Sequence, residues 1–218
     1  MSVLNNPKHI QHFTSKLINS TNVWYPVDTN HKAVRISMSS ASSFDESLDF
    51  LETKLKQSSA YLYDCTVYHV DDHISNRTDI AITSVRVEGL LPDVQSEWIC
   101  SGGTTQKIVT HLDDAVVVRG GPVVYVSGLE SQSRNGSDAF EKLEEALSRD
   151  SSSNMSLVTN CVFYVNTYDI MKDLFAGFYN IFNVKYFPPP SRTEFTLDGN
   201  ASFSVLAKCV AAVQNNTN

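Results

Sequence analysis

The chain has 218 residues, with 17 basic and 24 acidic side chains and a formal net charge of −7. This length suits one large domain or two domains of about 100 residues each. No lysine and arginine cluster interrupts the acidic balance, which argues against nucleic-acid binding. No apolar run reaches the roughly 20 residues that a membrane-spanning helix needs.

The predicted elements of the first half alternate strands with one helix. The helix begins after Ser42 or Ser43, where a serine side chain can accept a hydrogen bond from the first turn. Its apolar stripe, with spacings of four, three and four residues, consists of Phe44, Leu48, Leu51 and Leu55. The predicted strands cover Asn22–Asp28, Lys32–Met38, Tyr61–Val70, Asp79–Glu88 and Gln95–Cys100.

The second half begins near residue 108 and contains two predicted helices. They cover Asp138–Arg149 and the strongly apolar segment Tyr168–Phe182. Phe175, Phe178 and Phe182 form one stripe, which is typical of a core or a subunit interface. Predicted strands cover Ala115–Arg119, Val123–Val126, Asn160–Val165, Phe195–Leu197 and Phe203–Val210. The last two are predicted to form a hairpin around Asp198-Gly199-Asn200.

The two halves share residues at one offset of 96 positions, as between Cys65 and Cys161. The other pairs at this offset are Phe44 and Phe140, Leu51 and Leu147, and Tyr68 and Tyr164. A fixed offset between similar runs of elements indicates an internal duplication. We therefore predict a degenerate first domain (1–107), a complete second domain (108–213) and a disordered tail (214–218).

The cysteines, Cys65, Cys100, Cys161 and Cys209, are widely spaced, and none forms a Cys-x-x-Cys pair. This spacing argues against a zinc site. Cys65, Cys161 and Cys209 lie in apolar runs, which is typical of buried free thiols. We therefore predict no disulfides and a reducing compartment, which indicates the cytoplasm.

The first seven residues lack the basic region and apolar core of a signal peptide, which also favours the cytoplasm. Asn-x-Ser/Thr triplets such as Asn19-Ser20-Thr21 and Asn135-Gly136-Ser137 are accordingly interpreted as chance matches. His31, His69 and His73 have no neighbours at metal-ligand spacing, so we predict no metal site.

Three motifs of the second half carry a family resemblance: Tyr125-Val126-Ser127-Gly128, the strand Cys161–Val165, and Pro190-Ser191-Arg192 after the aromatic and proline-rich entry Tyr186–Pro190. In this order they resemble the Rid family (reactive-intermediate deaminases, YjgF/UK114). The resemblance implies an α+β fold of two Rid-like, chorismate-mutase-like domains, each a β-sheet with helices. It also implies a trimer or pseudo-trimer with sites in the clefts between subunits.

The same resemblance implies that Arg192 grips a small carboxylate while Tyr125, Ser127 and Gly128 line the cleft. A guanidinium fork suits this task because it matches a carboxylate with two charge-assisted hydrogen bonds. Active members carry a glutamate on the last strand, and Ser204 stands there in this sequence, so we predict no catalytic residue. Glu194 shares a strand face with Arg192. It would act as a substitute base, or pair with Arg192 and block anions.

Tandem, degenerate Rid-like domains also resemble the C-terminal region of eukaryotic diphthine–ammonia ligases, which carry out ATP-dependent amidation of diphthine on translation elongation factor 2. This resemblance implies a non-catalytic role in recognition or oligomerisation. The implied partners are an upstream ATP-pyrophosphatase-type domain and the elongation factor. ATP would bind only upstream, because Ser101-Gly102-Gly103-Thr104-Thr105-Gln106 lacks the lysine and aspartate of that phosphate loop and is interpreted as a turn.

Two alternatives remain open from the sequence. One is a stand-alone deaminase that hydrolyses 2-imino acids at Arg192, and the other is a sensor that binds a small carboxylate there without turnover. Neither alternative calls for a cofactor in this chain.

Overall fold

The computed structural model describes residues 10–15, 18–24, 33–70, 79–113, 115–150, 152–182, 189–197 and 202–214, with side chains from Val34 onward. Several predictions fall outside these residues: the end of the Asn22–Asp28 strand, His31, His73, the entry Tyr186–Pro188, the Asp198–Asn200 turn and the tail beyond Gln214. The chain divides into two compact units, Met1–Lys107 and Ile108–Asn218.

The first unit is a six-stranded sheet with one described helix, α1 (Phe44–Gln57). Its strands are β1 (Ile10–Ser15), β2 (Ile18–Trp24), β3 (Ala33–Ser40), β4 (Tyr61–His69), β5 (Ala81–Arg86) and β6 (Ser96–Gly103). The strand order is β1-β2-β3-β6-β4-β5. The helix begins after Ser43, whose side chain accepts a hydrogen bond from the Glu46 amide, as the sequence predicts.

The second unit is a six-stranded sheet with two helices, α2 (Ser137–Asp150) and α3 (Tyr168–Phe182). A short 3₁₀ helix covers Met155–Leu157. The strands are β7 (Ile108–His111), β8 (Val116–Gly120), β9 (Val123–Ser131), β10 (Val158–Val165), β11 (Ser191–Thr196) and β12 (Val205–Ala212). Their order is β11-β10-β12-β9-β8-β7.

The two sheets have the same topology. When the strand order of the second sheet is read from its β7 edge, it matches that of the first sheet. β7 then corresponds to β1, and β12 corresponds to β6. In each unit the pair that closes one edge is parallel, β4 with β5 and β10 with β11. The chain segment that joins this pair holds α3 in the second unit, whereas it spans only residues 70–80 in the first. The shared topology agrees with the duplication that the sequence predicts.

Each unit has its own apolar core between its sheet and its helices. In the second unit Phe140 of α2 meets Phe163 of β10 and Phe178 and Phe182 of α3 at ring-centroid distances of 5.9 to 6.3 Å. In the first unit Phe44 packs on Trp98 at 4.8 Å. Edge-to-face and tilted aromatic pairs of this kind add to the stabilisation from buried area. Among the described residues, none of the helices combines the length and apolar character that a bilayer crossing requires.

Two predictions about strands were wrong. β11 and β12 do not pair as a hairpin, because both pair with β10, β11 in parallel and β12 in antiparallel orientation. Ser101-Gly102-Gly103 is not a turn either, since it ends strand β6. A Cβ atom at position 102 would collide with the backbone oxygen of Tyr61, so the glycine there permits close strand approach.

The prediction of free thiols was also wrong. Cys65 is bonded to Cys100, and Cys161 to Cys209, so all four cysteines are paired. The partners lie 35 and 48 residues apart in sequence but directly opposite each other on antiparallel strands, with Cα atoms 4.1 and 4.2 Å apart. The bonds join equivalent strands of the two units, β4 to β6 and β10 to β12. The inference of a reducing compartment therefore loses its basis.

Candidate functional site

Arg192 lies on β11, at the edge of the second sheet. Strand alternation places Arg192 and Glu194 on one face, and their partners on β10, Cys161 and Phe163, belong to the core beneath the helices. Both charged side chains therefore face the helix layer. Phe195 lies on the other face, where its ring stacks on that of Tyr164 at 5.4 Å.

The Arg192 side chain is held on several sides. Its Nε atom lies 2.7 Å from Oε1 of Glu194. Its guanidinium carbon lies 4.3 Å from the ring centroid of Phe175 and 5.1 Å from that of Phe178. Contacts of a guanidinium with aromatic faces at such distances are attractive. Of the two roles that the sequence leaves open for Glu194, pairing with Arg192 is the arrangement in this structure.

Glu194 is the more buried partner of this pair. Its side chain is 17% exposed, against 36% for Arg192. The contact is an ion pair by distance but does not have hydrogen-bond geometry, and Oε1 is buried with no hydrogen-bond partner among the described residues. The Arg192 charge is thus what compensates the Glu194 carboxylate. A ligand carboxylate on Arg192 would place a second negative charge beside the largely buried Glu194, against a single positive charge, which is costly.

Ser127 and Gly128 form a β-bulge in β9. Ala207 opposes Leu129 and Cys209 opposes Val126, so two residues of β9 face the single residue Lys208 between them. Gly128 has φ +79°, a conformation that glycine adopts without penalty. The bulge is therefore a structural reason for the Ser127-Gly128 pair in the sequence. Ser127 is buried.

The structure does not bring the two predicted halves of the site together within the second unit. β10 and β12 lie between β11 and β9, which at the usual strand spacing separates Arg192 from Ser127 by about 14 Å. Tyr125 alternates with the core residues Val124 and Val126, so it faces away from the helices and from Arg192. The cleft between subunits in which the resemblance joins these residues stays a prediction.

Lys208 is a further candidate site residue, beside Ser127 and Gly128, that the sequence did not lead us to predict. It is 8% exposed and lies beside the Ser127–Gly128 bulge, on the sheet face that bears Tyr125. Lysine is seldom so buried without a partner, and Lys208 does have an interaction. The signal in the sequence is a single lysine in the apolar run Val205–Ala211.

Ser204 precedes β12. Its amide donates to the Ser131 carbonyl at 2.9 Å, and its hydroxyl donates to the Gln132 carbonyl at 2.9 Å. No carboxylate or imidazole takes part in these hydrogen bonds, so they supply no base to the hydroxyl. The described residues also contain no group of three or more histidine, cysteine, aspartate or glutamate side chains that could hold a metal ion.

Comparison with known proteins identifies the fold. No protein-family model matches the sequence, and no curated protein matches it. The structure of a chorismatase aligns over 94% of this chain and 80% of its own, with a TM-score of 0.60 at 10% identity. Members of the YjgF family align with about half of the chain. One, from Mycobacterium tuberculosis, covers 44% of this chain and 84% of its own, with 19% identity and a TM-score of 0.39.

A YjgF protein from Neisseria meningitidis covers 51% of this chain and 98% of its own, with 12% identity and a TM-score of 0.40. The chain has an α+β fold of two units with one topology. The chorismatase shares this fold over most of the chain, in agreement with the two-domain α+β fold that the sequence predicts. At these identities the likeness concerns the fold alone, and function rests on the residues of the site.

Proposed function

We propose that this chain is a non-catalytic Rid-like module that serves in recognition or oligomerisation. The observation that carries the proposal is the state of Arg192, which is paired with Glu194 and packed on Phe175 and Phe178. A carboxylate-binding arginine needs its fork free for the ligand. Here the Nε edge of that fork already faces an internal carboxylate, with which a ligand would have to share one positive charge.

The residues near Ser204 support the same reading. Hydrolysis of an imine needs a group that activates water, and a serine hydroxyl that donates to a carbonyl does not do so near neutral pH. Glu194 does not replace that group, because its carboxylate is committed to Arg192. The Tyr125, Ser127 and Gly128 group lies on the other sheet face, which leaves Arg192 without those partners in its own unit.

Imine hydrolysis tests this proposal. The purified chain is incubated with an enzymatically generated 2-imino acid, and the rate of keto-acid release is followed for the wild type, Arg192→Ala and Glu194→Gln. We expect all three rates to equal the rate without protein. Acceleration by the wild type that is lost in Arg192→Ala would instead make the chain a stand-alone deaminase.

The tandem arrangement favours a second, more specific candidate. Two Rid-like units in one chain are what the resemblance to the C-terminal region of eukaryotic diphthine–ammonia ligases implies. In that role the chain would contact the upstream ATP-pyrophosphatase-type domain and translation elongation factor 2 in the cytoplasm. Because the cytoplasm keeps thiols reduced, the fold would have to persist with its four cysteines unpaired.

Direct binding tests this second candidate. The chain, fully reduced, is titrated with a separately purified ATP-pyrophosphatase-type domain and, in a parallel experiment, with the elongation factor. Saturable binding to either protein supports a ligase role. Absence of binding to both, with the reduced chain still folded by circular dichroism, contradicts it.

A further inference from the structure

The two disulfides give the Asn-x-Ser/Thr triplets of the sequence a possible function, although the sequence alone led us to interpret them as chance matches. Structural disulfides persist in oxidising compartments and are rare in the cytosol. In the secretory pathway an Asn-x-Ser/Thr triplet is an acceptor for an N-linked glycan. The chain contains such triplets at Asn19, Asn76, Asn135, Asn154, Asn200 and Asn215.

The surroundings of Asn154 suit an acceptor. The short 3₁₀ helix Met155–Leu157 buries Met155, which is 4% exposed and belongs to the core of the second unit. Asn154 and Ser156, on either side of it, are both exposed. One turn of chain thus anchors the middle residue of the triplet and presents the other two to solvent.

The hydrogen bonds of Asn154 leave its amide nitrogen available. Oδ1 accepts from the Ser156 amide at 2.9 Å and from the Ser156 hydroxyl at 2.5 Å. Within the part of the chain that the structure describes, Nδ2 of Asn154 donates to no group. A glycan on Nδ2 would keep Oδ1 as an acceptor, so the turn is compatible with the modified side chain.

We propose that Asn154 carries an N-linked glycan, added as the chain matures in the oxidising compartment that forms its disulfides. This inference is compatible with the non-catalytic recognition module and excludes the cytoplasmic ligase role. In this step the co-reactant is an oligosaccharide bound to a lipid diphosphate. A bond forms between Nδ2 of Asn154 and the anomeric carbon of the first sugar, and the bond from that carbon to the diphosphate oxygen breaks. The lipid diphosphate leaves, and the amide proton passes to a base of the transferase.

The neighbouring segment adds support, because it holds the triplet at the surface. Ser153 Oγ donates to the Ala212 carbonyl at 2.7 Å, and the Gln214 amide donates to the Ser152 carbonyl at 2.6 Å. These bonds tie the residues before the triplet to the end of β12. The second triplet with described side chains, at Asn135, is left out because its Ser137 hydroxyl bonds outside the triplet, to Ser133 and Asp138. The Ser156 hydroxyl bonds within its own triplet, to Asn154.

The test uses the protein isolated from its native cells. Peptide N-glycosidase converts a glycosylated asparagine to aspartate, so treatment should raise the electrophoretic mobility and leave an aspartate at position 154 in peptide mass spectra. Alkylation without reductant should leave all four cysteines unlabelled. An unmodified Asn154 would overturn the site, and labelled cysteines would overturn the compartment.

Matched variants separate the modification from folding. When the chain is expressed in the same cells, Asn154→Gln and Ser156→Ala should each lose the mobility shift of one glycan. Ser156→Thr retains the acceptor pattern and should keep that shift. A glycan that persists at position 154 in Ser156→Ala, or is absent in Ser156→Thr while the disulfides form, would contradict the assignment.

Discussion

At the residue scale, the hydroxyl of Thr83 is buried in the first sheet without a described partner. The residue is 1% exposed, and Oγ1 makes no hydrogen bond among the described residues. An unsatisfied buried hydroxyl costs stability. We expect Thr83→Val to raise the free energy of unfolding by about 1 kcal/mol, measured by urea denaturation.

A matched threonine provides the control for Thr83. The Thr159 hydroxyl, unlike that of Thr83, has a described partner, because it donates to the Val210 carbonyl at 3.1 Å. The same substitution, Thr159→Val, therefore removes an existing hydrogen bond. That change should lower the free energy of unfolding by about 0.5 kcal/mol, since the site is exposed. Destabilisation by Thr83→Val would show that its hydroxyl has a partner after all.

Asp138, in the first turn of α2, makes the free energy of unfolding depend on pH. Burial acts to raise the pKa of this carboxyl, but hydrogen bonds from the Gln132 and Ser133 amides and the Ser137 hydroxyl outweigh it and lower the pKa. A lowered folded-state pKa means that the stabilisation is complete above the ordinary value of about 4 and is lost as the pH falls through the lowered value.

We therefore expect Asp138→Asn to cost about 1 kcal/mol at neutral pH, because the site is partly solvated and the hydrogen bonds lose their charge. The difference from the wild type should shrink as urea titrations are taken to progressively lower pH, below about 4. A difference that stays constant across this range would contradict the role of the charge.

At the scale of elements, Gly177 in α3 sets how closely the helix approaches the loop before α2. A Cβ atom there would collide with the backbone oxygen of Asn135. Helix propensity alone predicts that Gly177→Ala stabilises by about 1 kcal/mol. We expect the collision to prevail and the free energy of unfolding to fall by about 1–3 kcal/mol.

Gly89 serves as the control for Gly177, because a Cβ atom at position 89 would meet nothing within 4 Å. Gly89→Ala should change the free energy of unfolding by less than about 0.5 kcal/mol. A stabilised Gly177→Ala variant would mean that the loop gives way without cost.

The elements differ in how far the sequence predicts them. The apolar stripes predict α1 and α3 well, and the Tyr168–Phe182 helix is confirmed at both ends, because helical periodicity is a local property. The pairing of β11 with β10 was not predicted, since the turn residues after β11 favour a local hairpin while the parallel pairing depends on a strand distant in sequence.

In the candidate site, too, the local features are predictable from the sequence and the long-range ones are not. Strand alternation places Arg192 and Glu194 on one face, which requires only the local chain. The order of strands β11-β10-β12-β9 and the bulge opposite Lys208 depend on long-range pairing. The sequence therefore could not reveal that Ser127 lies on the other face from Arg192, or that Lys208 lies beside it.

At the scale of the whole molecule, the duplicated fold carries one cross-strand disulfide in each unit. Cross-links that close loops of this length stabilise by about 2–4 kcal/mol, chiefly through the unfolded chain. We expect the double variant Cys161→Ala, Cys209→Ala to lose stability by about this amount. Adding a reductant should lower the melting temperature of the wild type more than that of the variant, and equal shifts would contradict the second disulfide.

The ion pair of Arg192 with Glu194 carries most of the proposed function. Titration with a small 2-oxo carboxylate, followed by calorimetry or ligand-observed NMR, tests this directly in the wild type, Arg192→Ala, Glu194→Gln and the double variant. We expect no binding to the wild type, binding to Glu194→Gln, and loss of that binding in the double variant. Saturable binding to the wild type that Arg192→Ala abolishes would contradict the proposed function.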